Sequence, residues 1–165
     1  MLSQLKKLKQ LYCKVITGIK PSLVTFKSKV INMDLKVNII KEDMFILLED
    51  VTVDVLGYRI IVKKGFDFDG ASIPRALWGL YGNPLSGKFR IAALVHDALY
   101  ASQKVPRELA DDIFLDLMKQ HRVGYMKRQT MYYAVRSVGW HVWKCHEETE
   151  VKKYKEFINV EKIDS

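Results

Sequence analysis

Cysteine is scarce in this chain: Cys13 and Cys145 are the only two in 165 residues. Thiols so far apart form no C-x-x-C metal motif and demand no disulfide framework, so a reducing compartment is the default expectation. Long apolar runs are missing as well. Nothing approaches the ~20 consecutive apolar residues of a membrane-spanning helix, and Lys6, Lys7, Lys9 and Gln10 interrupt what would be the apolar core of a signal peptide. Together these absences point to a cytoplasmic location. His121, His141 and His146 lack H-x-x-x-H or comparable spacing, which speaks against a zinc site. Acid is nearly absent from one region: residues 1–41 hold nine lysines and a single acid, Asp34. The formal net charge of +8 therefore sits wholly in that arm, because residues 42–165 carry 18 basic and 18 acidic side chains. With the globular part neutral and no recognised nucleic-acid module in view, nucleic acid is not the expected partner.

What is present fits one compact domain with extensions. We divide the chain into a basic amphipathic N-terminal arm at 1–41, an α+β core at 42–146 and a charged C-terminal tail at 147–165. In residues 2–19, Leu2, Leu5, Leu8, Tyr12, Val15, Ile16 and Ile19 recur at three- and four-residue steps, which predicts an amphipathic helix ending near Pro21. Lys6, Lys7, Lys9 and Lys14 on its polar side suit an anionic membrane surface or a protein partner engaged through residues 1–20. The alternative is that this helix packs on its own domain.

Strand signals follow at Met44 to Leu48, Val51 to Leu56 and, after a turn near Gly57, Tyr58 to Val62. The alternation Val51-Thr52-Val53-Asp54-Val55 predicts a half-buried antiparallel meander. Residues 66–86 are dense in turn formers around a short apolar helix from Arg75 to Tyr81, with Ser72 its expected cap. Three helices are expected at about 87–102, 106–121 and 124–145, with Pro106 in the first turn of the second and the third starting after Gly124. Strands first and helices afterwards make the fold class α+β: a small antiparallel β-meander followed by a cluster of three helices, with a basic amphipathic N-terminal helix. Tyr125, Tyr132, Tyr133, Trp140 and Trp143 fall at near-helical spacing and are expected in the core.

Possible chemistry concentrates at His96 and Asp97. Neighbours on a helix point about 100° apart, so the two cannot serve each other and each needs its own partner. Tyr100 is one turn beyond His96 on the same face. On the second helix Arg107 and Asp111 are four apart and can pair, with Asp112 beside them. If the helices fold back across the link Ser102 to Val105, Asp111 reaches His96, fixes its tautomer and raises its basicity, as a general base requires. Asp97 then remains for a hard cation, with calcium the natural choice and backbone carbonyls of the Gly79-to-Leu85 loop as further oxygen ligands. Asp69 is either a third carboxylate at the site or an acceptor bracing its loop. The structural alternative pairs Asp97 with Arg107 and leaves His96 and Tyr100 hydrogen-bonded in the helix interface.

These residues carry two resemblances. The run D-G-A-S-I-P-R, H-D-A-L-Y, R-E-L-A-D-D-I-F and V-R-S-V-G-W between Gly65 and Trp140 resembles a phage and bacterial family of unknown function. The shorter V-H-D-A-L-Y-A-S is similar to the helix of the secreted and parvoviral sn-2 phospholipases. That similarity implies His96 as the catalytic histidine, Asp97 as the calcium-binding aspartate, Tyr100 as the supporting tyrosine and Asp111 as the aspartate that orients His96. Here L-Y-G-N-P-L-S-G stands in place of a glycine-rich calcium loop, with an incomplete glycine pattern, and the cysteines of the secreted enzymes are missing.

The resulting expectation is a phage-type hydrolase with a His96-centred, calcium-assisted site acting on a lipid ester. Catalysis would rest on His96, Asp111 and Tyr100, support on Asp69, Arg107 and Asp112, and the metal on Asp97. The arm would serve a membrane surface or a phage protein partner, in the host cytoplasm, at its membrane or in the virion. The alternative is a non-enzymatic phage structural or assembly protein in which the same two helices form a brace.

Overall fold

The computed structural model describes residues 23–26, 35–41, 44–68 and 87–163. The expected helix at 2–19, Asp69, Ser72, the short helix from Arg75 to Tyr81 and the Gly79-to-Leu85 loop lie outside them. In chain order the strands are β1 (Leu23–Phe26), β2 (Leu35–Lys41), β3 (Met44–Leu47), β4 (Val51–Val55), β5 (Tyr58–Val62), β6 (Asp67–Phe68) and β7 (Ile158–Lys162). The helices are α1 (Arg90–Ser102), preceded by a 3-10 turn at Gly87–Phe89, α2 (Arg107–Gln120), α3 (Tyr125–Cys145) and α4 (Glu148–Lys155).

The fold is α+β, with two antiparallel sheets ordered β1-β2-β3-β6 and β4-β5-β7. The three strands expected to form one meander are divided between these sheets. β4 and β5 form a hairpin in which Val55 pairs with Tyr58, and both turn residues, Leu56 and Gly57, have positive φ, the backbone that a two-residue loop needs to match strand twist. β3 instead pairs with β2 and β6. Alternation puts Val51, Val53 and Val55 inward on β4 while Thr52 and Asp54 face water.

Both segments read as extensions contribute to the sheets. β1 and β2 lie within the basic arm, and Leu35 and Val37 of β2 are fully buried. The charged tail carries α4, opened by a capping box between Glu147 and Glu150, and then β7, which covers the edge of β5 from Tyr58↔Lys162 to Val62↔Ile158. Charge density concealed this strand. Its inward contribution is little more than Ile158 and Val160, set among Glu161 and Lys162.

All thirteen residues of α1 are buried. A helix covered on every side belongs to the core, and Ala92, Ala93, Ala98 and Ala101 let its neighbours approach. It packs on α2, α3 and α4 and on β5, β6 and β7. α2 turns Ala110, Asp111, Phe114, Leu117 and Met118 inward at three- and four-residue steps. α4 is tied to β6 by Tyr154 Oη donating to Asp67 Oδ2 at 3.0 Å and by the edge of the Tyr154 ring against Phe66.

Candidate functional site

The α1–α2 link is short because Gln103 ends α1 in the left-handed conformation, its N–H returning to the Leu99 carbonyl at 2.9 Å. The chain then restarts at Pro106, whose carbonyl takes the N–H of Ala110 at 3.1 Å. This return brings Asp111 of α2 against His96 and Tyr100, which are one turn apart on α1.

Asp111 is the centre of the site. Its Oδ1 accepts from His96 Nε2 at 3.0 Å and from Tyr100 Oη at 2.6 Å. Its Oδ2 accepts from Arg107 Nη1 at 3.0 Å and from Arg136 Nη1, on α3, at 3.3 Å. A carboxylate has about four acceptor positions, and here each is filled. The two arginines also interlock: Arg107 Nη1 donates to the Arg136 carbonyl at 3.3 Å, and Arg136 Nη1 to the Glu108 carbonyl at 3.1 Å. One acid thus joins three helices, with His96, Tyr100 and Asp111 all at 0% exposure.

The electrostatics assign the proton positions. Burial pushes the Asp111 carboxyl up, but hydrogen bonds from His96, Tyr100 and Arg136 outweigh it and hold the acid below the usual carboxylate range. Burial pushes the His96 imidazole below its usual value against the pull of Asp111, and the Arg107 charge acts in the same direction as burial. Burial and the bond to Asp111 raise the Tyr100 phenol well above its usual range, so it remains a donor. An ionised Asp111 can only accept. Nε2 of the neutral imidazole therefore carries the hydrogen, and Nδ1 carries the lone pair. Nδ1 is buried and has no hydrogen-bond partner among the described residues. The ring lies between Tyr100 and Phe114, with centroids at 4.2 and 4.8 Å.

Asp97 is buried on α1 beside His96. The ion pairs of Arg107 go to Asp111 and Glu108. Asp112 is exposed and accepts from Tyr132 Oη at 2.9 Å, outside the cluster. Lys6, Lys7, Lys9, Lys14 and Asp69 lie outside the described residues. Among the described residues no group of three or more His, Cys, Asp or Glu side chains converges as a metal site, and no helix is long and apolar enough to cross a membrane.

Three contributors were not anticipated from the sequence: Arg136, Phe114 and Gly139. A Cβ placed on Gly139 of α3 would stand 2.5 Å from Tyr100 Oη. The signal was the V-R-S-V-G-W segment, where a three-residue step puts Arg136 and Gly139 on one face. The aromatic set of α3 needs correction. Trp143 is half-buried, edge-on to Tyr100 at 5.1 Å, and Tyr132 is half-buried, but Tyr125, Tyr133 and Trp140 are exposed. The helix packs through Met131, Val135 and Gly139 instead, and the large rings fall beyond that narrow stripe.

A family model described as "Protein of unknown function (DUF1353)" matches residues 45–135. That span holds His96, Asp97, Tyr100, Arg107 and Asp111 and stops one residue before Arg136. The chain is also similar to the uncharacterized protein y4jT of Sinorhizobium fredii, with 30% identity over 86 residues, 52% of this chain and 26% of that protein. It therefore spans about a quarter of the length of this relative. A comparison with solved structures gave no match.

Proposed function

Since the chain belongs to the DUF1353 family of proteins of unknown function, whose description names no activity, we propose a function from the site itself: a His96-centred ester hydrolase. The observation that carries this reading is the oriented imidazole, with Nε2 held by Asp111 at 3.0 Å and Nδ1 buried without a partner among the described residues. In the proposed reaction Nδ1 takes a proton from water as the oxygen attacks the ester carbonyl. The bond to the leaving alcohol then breaks, and the imidazolium returns its proton to that oxygen. Asp111 fixes the tautomer, Tyr100 and Arg107 hold Asp111, and burial keeps His96 neutral and ready to accept.

A lipid ester is the proposed substrate class, on the similarity of V-H-D-A-L-Y-A-S to the phospholipase helix and on the basic amphipathic pattern of residues 1–20. The donor chemistry of Asp97 suits a hard cation, and backbone carbonyls of residues 79–85 are the proposed further ligands. Calcium held there would polarise the ester carbonyl. The phage setting, in host cytoplasm, membrane or virion, belongs to this proposal and rests on the motif resemblance.

A second reading is favoured by the complete burial of His96 and Asp111: a non-enzymatic phage structural or assembly protein in which Asp111 braces three helices. Fatty-acid release from mixed anionic vesicles, with and without calcium, separates the two. Hydrolase action requires release by the wild type and its loss in folded His96→Gln, whose amide can still donate to Asp111. A folded wild type inactive across several lipid esters and metals overturns the hydrolase reading in favour of the brace.

A further inference from the structure

The three helices that meet at Asp111 are held to the molecule very differently. α1 is buried at all thirteen positions and α2 at six of its 14, but α3 buries only Met131, Val135 and Gly139 of its 21. Val142 and Trp143 add partial contact toward its end. An element with so little buried surface belongs at the low end of local stability. α4 buries only Val151, yet it leads directly into β7, whose ladder with β5 pins it. α3 is joined to its neighbours by open corners instead. Arg122 before it has φ +54°, a Cβ on Gly124 would meet open space, and His146 after it is extended.

Much of what fastens α3 is polar and close to water. Tyr132 Oη donates to the exposed Asp112 at 2.9 Å, Gln103 Nε2 to the Trp143 carbonyl at 2.8 Å and Arg107 Nη1 to the Arg136 carbonyl at 3.3 Å. The half-buried Arg136 guanidinium returns one bond to the carbonyl of exposed Glu108 at 3.1 Å and one to Asp111 Oδ2 at 3.3 Å. Bonds of this kind are exchanged for bonds to water on opening, so each holds the helix only weakly. A helix taken out of its packing has little stability of its own in water. α3 has less than most, since it contains Gly139, Thr130, Val135, Val138 and Val142, all poor helix formers.

What α3 covers is the polar centre. Gly139 lies against the Tyr100 hydroxyl, Trp143 meets the Tyr100 ring edge-on at 5.1 Å, and Arg136 closes Asp111 Oδ2. The contacts beneath do not need α3: His96 keeps Asp111 at 3.0 Å and Phe114 at 4.8 Å, and α1 rests on β5, β6 and β7 as well as on α2. From this placement we propose that α3 is a gate over the buried cluster. It detaches and loses its helical hydrogen bonds while α1, α2 and the sheets stay folded. Each opening carries Arg136 and Gly139 away and admits water to Tyr100 and Asp111, and through Asp111 Oδ1 to His96 Nε2. The gate gives an otherwise sealed imidazole a route to solvent, and it does not depend on any hydrolytic activity.

The test is native-state amide hydrogen exchange on the full chain, with diethyl pyrocarbonate labelling of His96 read on its peptide by mass. Amides of α3 are expected to be about tenfold or more less protected than those of α1, and to respond less to low urea. Two further variants separate the gate from global unfolding. Ile60→Val weakens the core of β5, outside the gate, and should speed α1 exchange roughly threefold while leaving α3 exchange and His96 labelling unchanged. Tyr132→Phe combined with Gln103→Asn removes two ties of α3, asparagine being one methylene shorter and suited to the left-handed backbone at 103. This pair should speed α3 exchange and His96 labelling by the same factor. Equal protection of α3 and α1, with both responding to Ile60→Val, overturns the proposal. So does His96 labelling that follows Ile60→Val, or its absence under conditions in which α3 amides exchange.

Discussion

Gly139 of α3 faces the hydroxyl of Tyr100 on α1 so closely that a Cβ there would lie 2.5 Å from the oxygen and 3.3 Å from two ring carbons. A glycine inside a helix normally costs about 1 kcal/mol relative to alanine. Here it leaves the space in which Tyr100 reaches Asp111. Gly139→Ala is therefore expected to destabilise by roughly 1–3 kcal/mol despite its better helix propensity. Urea unfolding measures this, and part of the loss should be recovered in the Tyr100→Phe background, where the hydroxyl is gone. A stabilised Gly139→Ala protein would show that α3 can move aside freely.

Asp111→Asn tests the centre of the network. An amide offers hydrogens where Arg107 or Arg136 also donates, and it removes the charge that balances two guanidinium groups. Loss of one partner from a buried ionic cluster costs roughly 3–5 kcal/mol. Asp112→Asn, at an exposed acid beside it, should change stability by less than about 0.5 kcal/mol. Equal effects of the two substitutions in denaturant melts would remove Asp111 from its central role.

Stability should fall with acid in two stages. His96 is held below the ordinary imidazole value of 6.5 in the folded chain, chiefly by burial. The unfolded chain thus binds more protons below that pH, and the contribution is full above 6.5 and declines as pH drops. His121 is shifted the same way by burial and Arg90. Asp111 is lowered from 3.8, so its contribution is present above that value and is lost as pH falls toward the folded value. Urea midpoints at pH 8 and pH 5 should differ for the wild type and differ less for His96→Gln. A pH-independent wild type over that interval contradicts the neutral buried imidazole.

Removing residues 147–163 is expected to expose the edge of β5 along Tyr58 to Val62 and to uncover Ile60 and Val62, now fully buried. An unpaired apolar edge associates with other chains. Size-exclusion chromatography of the truncated chain should show aggregates or an expanded species. A compact monomer with native far-ultraviolet dichroism would mean that α4 and β7 are accessory.

Local pattern was enough for several parts of this protein. Helices near 90–102, 107–120 and 125–145 follow from apolar spacing, Pro106 and Gly124, and the β4–β5 hairpin from valine alternation and Gly57. These signals depend on neighbours in sequence, where period and turn chemistry act directly. The spacing of His96 and Tyr100 on one helix, and of Arg107 and Asp111 on the next, is of the same kind. Membership of β3 in one sheet and β4 in the other, the pairing of β7 with β5, and the arrival of Arg136 and Gly139 at Tyr100 and Asp111 were decided only in three dimensions. Each depends on which distant surfaces bury best together, a property of the assembled core that no local period encodes. The exposure of Tyr133 and Trp140 was settled there too, because helical spacing fixes which residues share a face but not which face the rest of the molecule covers.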